Sequence, residues 1–129
     1  MRIGELAAAT GTTTKTLRFY EDSGLLHPAG HTATGYRDYT EEAVARLDFI
    51  RRGRAAGLTL AQIREVLDVR DRGGAPCQHV EDLLAARLRD LDAQIANLRA
   101  LRDTVAELHE AASTPDPGSC HPEQVCRYL

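Results

Sequence analysis

The chain has 129 residues, enough for one compact domain or a small domain with a long extension. No apolar run approaches the roughly 20 residues of a membrane span. The opening MRIGELAAAT lacks a basic segment followed by an apolar core, so no secretory signal is expected and the cytoplasm is favoured. With 16 Lys and Arg against 19 Asp and Glu, the chain is mildly acidic, which excludes a generally basic nucleic-acid coat. Before Pro76 there are 11 basic against 10 acidic residues, and from Pro76 onward 5 against 9, so the acidic part is the C-terminal half and any nucleic-acid face must be local. Trp is absent and aromatics make up 5% of the chain, so the core must close with Leu, Ile, Val and Ala, as helical packing does.

In chain order, residues 3–9 read as a short Ala-rich helix ended by Thr10-Gly11, since glycine past a helix end is the usual stop. Thr12-Thr13-Thr14 offers an N-cap for a second helix to about Ser23. Leu17 and one of Phe19 or Tyr20 can pack inward, while Lys15 and Arg18, at i and i+3, share an outward face. Two short helices with a glycine turn between them form a helix-turn-helix, whose second helix enters a major groove. Leu25-Leu26-His27-Pro28 closes that helix. Residues 31–39 read as a hairpin or wing turned at Gly35, with Tyr36, Arg37 and Tyr39 projecting and at least one tyrosine packed on the next helix. There Arg37 would bind phosphate through a charge-assisted fork.

Thr40 with Glu41 and Glu42 starts a third helix, whose later turns carry Arg46, Arg51, Arg52 and Arg54. Such a cluster is a solvated face by default, though here it could reach the DNA backbone. Gly57 stops this helix and Thr59 caps a fourth, with Leu60, Ile63, Val66 and Leu67 at helical spacing. Residues 70–76 then break the pattern as a hinge. From residue 80 to 112, apolar residues fall at Leu84, Leu88, Leu91, Ile95, Leu98, Leu101, Val105 and Leu108, a heptad seam with one three-residue stammer at Leu98–Leu101. A helix this long with one narrow stripe should pair with another copy. Antiparallel pairing would hold the two DNA-binding heads apart, although periodicity leaves the orientation open. The tail, 113–129, leaves through a Pro/Gly loop and is expected to finish in one short helical turn. Cys77, Cys120 and Cys126 are an odd number in a chain without a signal, which favours a metal site or a reactive thiol over structural disulfides.

The segments IGELAAATG, TTKTLRFYEDSGLL, GYRDYTEEAVARL and LDFIRRGRAAGLTLAQIREVL, followed by the long helix, resemble the MerR family of bacterial transcriptional regulators across the whole chain. The resemblance implies a mainly α fold: a winged helix-turn-helix DNA-binding domain with a helical connector (1–75), a dimerisation helix in an antiparallel coiled coil (76–112) and a short C-terminal metal-binding loop and helix (113–129). It implies a homodimer on an inverted repeat of promoter DNA. There it distorts an overlong spacer so that RNA polymerase can engage both promoter elements. The implied DNA-binding residues are Thr13, Lys15, Arg18 and Tyr20 on the second helix and Tyr36 and Arg37 in the wing.

The cysteines resemble those of the metal-sensing branch, where a cysteine ahead of the dimerisation helix accompanies response to divalent ions. In an antiparallel dimer Cys77 of one subunit could meet Cys120 and Cys126 of the other. Three converging thiolates suit a soft or borderline ion, Zn(II), Hg(II), Cd(II) or Pb(II), with His121 or His79 as a candidate fourth ligand. One departure is that Ala111 and Ala112 end the long helix where such sensors usually carry a cysteine. A thiol-based redox regulator of the same family is the alternative. No nucleophile–base pair, phosphate-cradling glycine loop or paired catalytic carboxylates are present, so no enzyme is expected.

Overall fold

Glycines and threonines set the helix boundaries in the computed structural model, which describes residues 1–27 and 30–129. The chain is mainly helical: α1 (Ile3–Thr10), α2 (Thr14–Asp22), the two-residue strands β1 (Gly30–His31) and β2 (Arg37–Asp38), α3 (Glu41–Ala55), α4 (Leu60–Asp71) and α5 (Cys77–Ala112). A 3-10 turn at Pro117–Ser119 follows. Gly11, Gly24, Gly35 and Gly57 all take positive φ at the turns read from the sequence. α2 ends at Asp22, ahead of the left-handed Gly24, and Pro28 lies outside the described residues.

Two compact units make up the chain, Met1–Arg87 and Leu88–Leu129. In the first, Leu6, Leu17, Leu25, Leu26, Ile50, Ile63 and Val66 are all but fully buried, and all of these except Val66 belong to one core shared by α1 to α4. Helices α3 and α4 approach closely at Gly53, where an added Cβ would lie 2.9 Å from the Ile63 side chain. Thr59 and Gln62 form a reciprocal capping box at the start of α4. The packing continues beyond residue 75: Leu83 of α5 rests on the core, and Arg87 Nε donates to the Ala56 carbonyl at 3.1 Å. That guanidinium lies across Gly57, whose φ of +83° already favours glycine. β1 and β2 pair antiparallel, Gly30 opposite Asp38 and His31 opposite Arg37, and form the wing.

In the second unit the remainder of α5 carries the heptad stripe. Leu88 (61% exposed), Leu98 (66%) and Leu101 (59%) lie open within a single chain. In the tail, the Asp116 side chain accepts from Gly118 N–H at 3.1 Å, and the Tyr128 hydroxyl accepts from Asp116 N–H at 3.1 Å. The short helical turn expected of the tail lies at Pro117–Ser119, capped by Asp116 and opened by Pro117, and a further turn follows in which Gln124 N–H donates to the His121 carbonyl at 2.9 Å.

Candidate nucleic-acid interface and thiol donors

The second helix of the pair is capped locally. Thr13 Oγ1 accepts from Thr16 N–H at 3.2 Å and donates to Thr16 Oγ1 at 3.0 Å. Leu17 is the buried anchor, and Lys15 and Arg18 are exposed. Tyr20 is half-buried against the core whereas Phe19 is exposed, so Tyr20 is the ring that packs inward. The wing holds its shape through Thr32: its N–H donates to the Tyr36 carbonyl at 2.7 Å and its hydroxyl accepts from Tyr36 N–H at 3.2 Å. Tyr36 is 54% exposed.

One carboxylate joins helix and wing. Glu21 of α2, nearly buried, accepts from the Arg37 guanidinium through one oxygen and from the Tyr39 hydroxyl through the other. Tyr39 therefore does not project from the wing as expected but is 4% exposed, its ring in the core. Burial, and then its bond to Glu21, push the Tyr39 hydroxyl above the ordinary phenol value. Arg37 spends part of its donor set on Glu21, so it orients the wing as well as facing outward.

Arg46 corrects a second expectation. It does not line an outward arginine face: it is buried, donating from Nε to the Leu25 carbonyl at 2.5 Å and through both terminal nitrogens to Asp71, at 2.8 and 3.1 Å. It ties the loop after α2 to the end of α4. Asp71 also lies 3.3 Å from His27 Nε2. Its carboxyl is held below the usual carboxylate range, chiefly by the hydrogen bonds from Arg46. Arg51 and Arg52 pair with Asp48 of the same helix.

Sequence reading singled out neither Glu21 nor Arg2. Glu21's partners lie 16 and 18 residues away, beyond any helical periodicity. The guanidinium of Arg2 lies 4.1 Å from the centre of the Tyr36 ring.

Cys77 is the first residue of α5 and is exposed; Cys120 follows the 3-10 turn and is half-exposed; Cys126 is exposed. All three are free thiols. Among the described residues, no three His, Cys, Asp or Glu side chains converge within the chain. The donor set itself, sulfur with an imidazole nearby in sequence, matches a soft or borderline divalent ion. The two candidate histidines each have a close neighbour, and His79 Nε2 makes no hydrogen bond among the described residues. His121 Nδ1 accepts from Glu123 N–H at 3.2 Å. His79 Nε2 lies 3.3 Å from the Glu65 carboxylate, near enough for charge attraction but without hydrogen-bond alignment.

Comparison with known proteins covers the whole arrangement. Residues 1–69 match the model of the MerR HTH family regulatory protein, and residues 44–108 match the model described as MerR, DNA binding. The transcriptional regulator ZntR of Escherichia coli (strain K12) is 35% identical over 99% of this chain and 89% of its own length. The crystal structure of the regulator PbrR691 from Ralstonia metallidurans CH34 in complex with lead(II) is 36% identical, with a TM-score of 0.76 over 93% of this chain and 94% of that one. That of MerR from Bacillus megaterium MB1 in complex with mercury(II) is 31% identical, with a TM-score of 0.69 over 94% and 92%. With its helix-turn-helix head, wing and long helix all matched, the chain belongs to the MerR family of helix-turn-helix regulators, and is a DNA-binding transcription regulator, not an enzyme.

Proposed function

We propose that this regulator works as a homodimer that reads a divalent soft or borderline metal ion, Zn(II), Hg(II), Cd(II) or Pb(II), and answers by distorting promoter DNA. The observation that carries this reading is the placement of thiols relative to the unpartnered stripe of α5. Cys77 stands at the first residue of the helix, and Cys120 and Cys126 follow its last turn. If two copies bury their stripes antiparallel, the start of each helix meets the end of the other. Cys77 of one subunit then joins Cys120 and Cys126 of its partner, with His121 or His79 able to complete four-coordination. Relatives solved with lead(II) and mercury(II) support the class of ion.

Two heads then face an inverted repeat. Lys15 and Arg18 of α2 and Tyr36 of the wing supply outward contacts, with Thr13 at the helix cap. Arg37 serves partly by fixing the wing through Glu21, and Tyr20 acts from the core side by setting the pose of α2. An ion joining the subunits at both ends of the pair favours one separation of the heads over another, which is a bias on DNA twist available to RNA polymerase.

The test is a titration of the purified wild type and of Cys77→Ser with Zn(II), Hg(II), Cd(II), Pb(II), Co(II) and Cu(I), following metal bound per dimer and transcription from the cognate promoter. Loss of the divalent response in Cys77→Ser is expected. Equal response of both proteins to every ion would remove Cys77 from the ligand set.

A further inference from the structure

Outside the residues matched to the recognition helix and wing, one side chain stands in a position that those assignments do not use. Arg2, immediately before α1, lays its guanidinium over the exposed ring of Tyr36, 4.1 Å from the ring centre. It has no ion-pair partner among the described residues. The groove beside it runs between the N-terminus, the recognition helix and the wing tip, and its walls include Arg2, Arg18, Tyr36 and Arg37, with Glu5 the only carboxylate.

The state of each cation decides what the groove can bind. Arg37 is committed in part to Glu21, whereas Arg2 and Arg18 have no carboxylate partner among the described residues. A guanidinium held over an aromatic ring by cation–π attraction still has N–H donors to offer, and that contact narrows its rotamer freedom in advance. That presentation suits an anionic oxygen pair, and a run of phosphodiesters is the anion that a groove beside a recognition helix meets. Resting on the DNA-binding reading above, we infer that Arg2 and Tyr36 act as one unit that clamps a backbone phosphate next to the wing. Arg2 supplies the charge and donors; Tyr36 holds it in place. The contact carries no base information, and it sets how the head is seated on the duplex.

The experiment uses the full-length protein and the duplex that the wild type selects from a random-sequence library. Affinity is measured across a salt series for wild type, Arg2→Ala, Tyr36→Leu, the double variant and Arg18→Ala. Arg2→Ala should weaken binding about five- to tenfold and make the log–log salt slope shallower by about one. The double variant should lose less than the product of the two single losses, because each single change already breaks the stacked pair. An unchanged affinity and slope in Arg2→Ala beside a weakened Arg18→Ala would overturn the clamp while leaving the recognition helix in place. Independent losses in the double variant would overturn the stacked unit. Failure of the wild type to select any duplex would instead bring down the DNA-binding reading itself. Unchanged thermal unfolding of Arg2→Ala shows that the loss is one of contact, not of fold.

Discussion

The head and the remainder of the chain solve the burial problem in opposite ways. Within Met1–Arg87, short helices enclose their leucines and isoleucines, with Leu6, Leu17 and Ile63 all at 0% exposure. Within Leu88–Leu129, no residue of α5 is buried, and its leucines stand in water along one stripe. Burying an aliphatic side chain is worth about 1.5–3 kcal/mol, so the head gathers its stabilisation inside one chain. The second unit can collect it only from another surface. Propensity alone rarely holds an isolated helix in water, and tertiary contact supplies the rest. The DNA-reading part is a self-contained fold, whereas the rest leaves an apolar stripe open to a partner surface.

The sharpest way to break that contrast is Leu98→Asp with Leu101→Asp. If the stripe is a pairing seam, two charges at its middle should abolish dimerisation at micromolar concentration, a loss of about 3–6 kcal/mol from the two leucines alone. Sedimentation equilibrium would show the monomer, and circular dichroism would show helix lost while the head persists. A dimer that survives would place the interface elsewhere.

Next in size is Arg46→Ala, which probes the head. Removing the guanidinium leaves the Leu25 carbonyl and Asp71 without their donor. Because Asp71 is partly solvated, the cost should be about 2–3 kcal/mol, below that of a fully buried pair. Urea unfolding would measure it, and the oligomeric state should not change.

The same pair gives the head an acid dependence. Arg46 holds the folded-state value of Asp71 below that of the unfolded chain, so its contribution is fully present above about pH 4. It is lost as pH falls through the depressed folded value, where the carboxylate takes a proton and the pair breaks. Asp71→Asn should therefore flatten the decline of the urea midpoint below about pH 4 relative to wild type. Parallel declines would show that other carboxylates set the acid limit.

The smallest effect is expected at Thr59→Ala, which removes one half of the capping box of α4. About 1 kcal/mol should be lost from the head, read as a lower unfolding midpoint. A larger loss would mean that the start of α4 also supports the contact of Arg87 with Ala56.

Helix positions were legible because their signals are local. Thr13 and Thr59 before apolar periodicity, glycines after it, and a heptad rhythm from Leu84 to Leu108 act within a turn or two of chain, and the structure places helices there. Side-chain duties were less legible. Arg46 looks like its neighbours Arg51 and Arg52 in a basic run, yet its partner Asp71 is 25 residues away. Tyr36 and Tyr39 flank the same Arg-Asp step, yet one is exposed and the other lies in the core. Spacing carries no information about contacts of that range.

By itself, the sequence determined that this protein is helical, that a helix-turn-helix with Lys15 and Arg18 on one face precedes a long apolar stripe, and that three thiols lie at the two ends of that stripe, because caps, periodicity and composition are properties of neighbouring residues. Only the tertiary structure decided which charges are spent inside the fold, Arg46 on Asp71 and Glu21 on Arg37 and Tyr39, and which remain outward, Lys15, Arg18 and Arg2. That choice depends on which helices pack together, since a charge is neutralised by whatever the fold brings within about 4 Å of it, however distant in the chain.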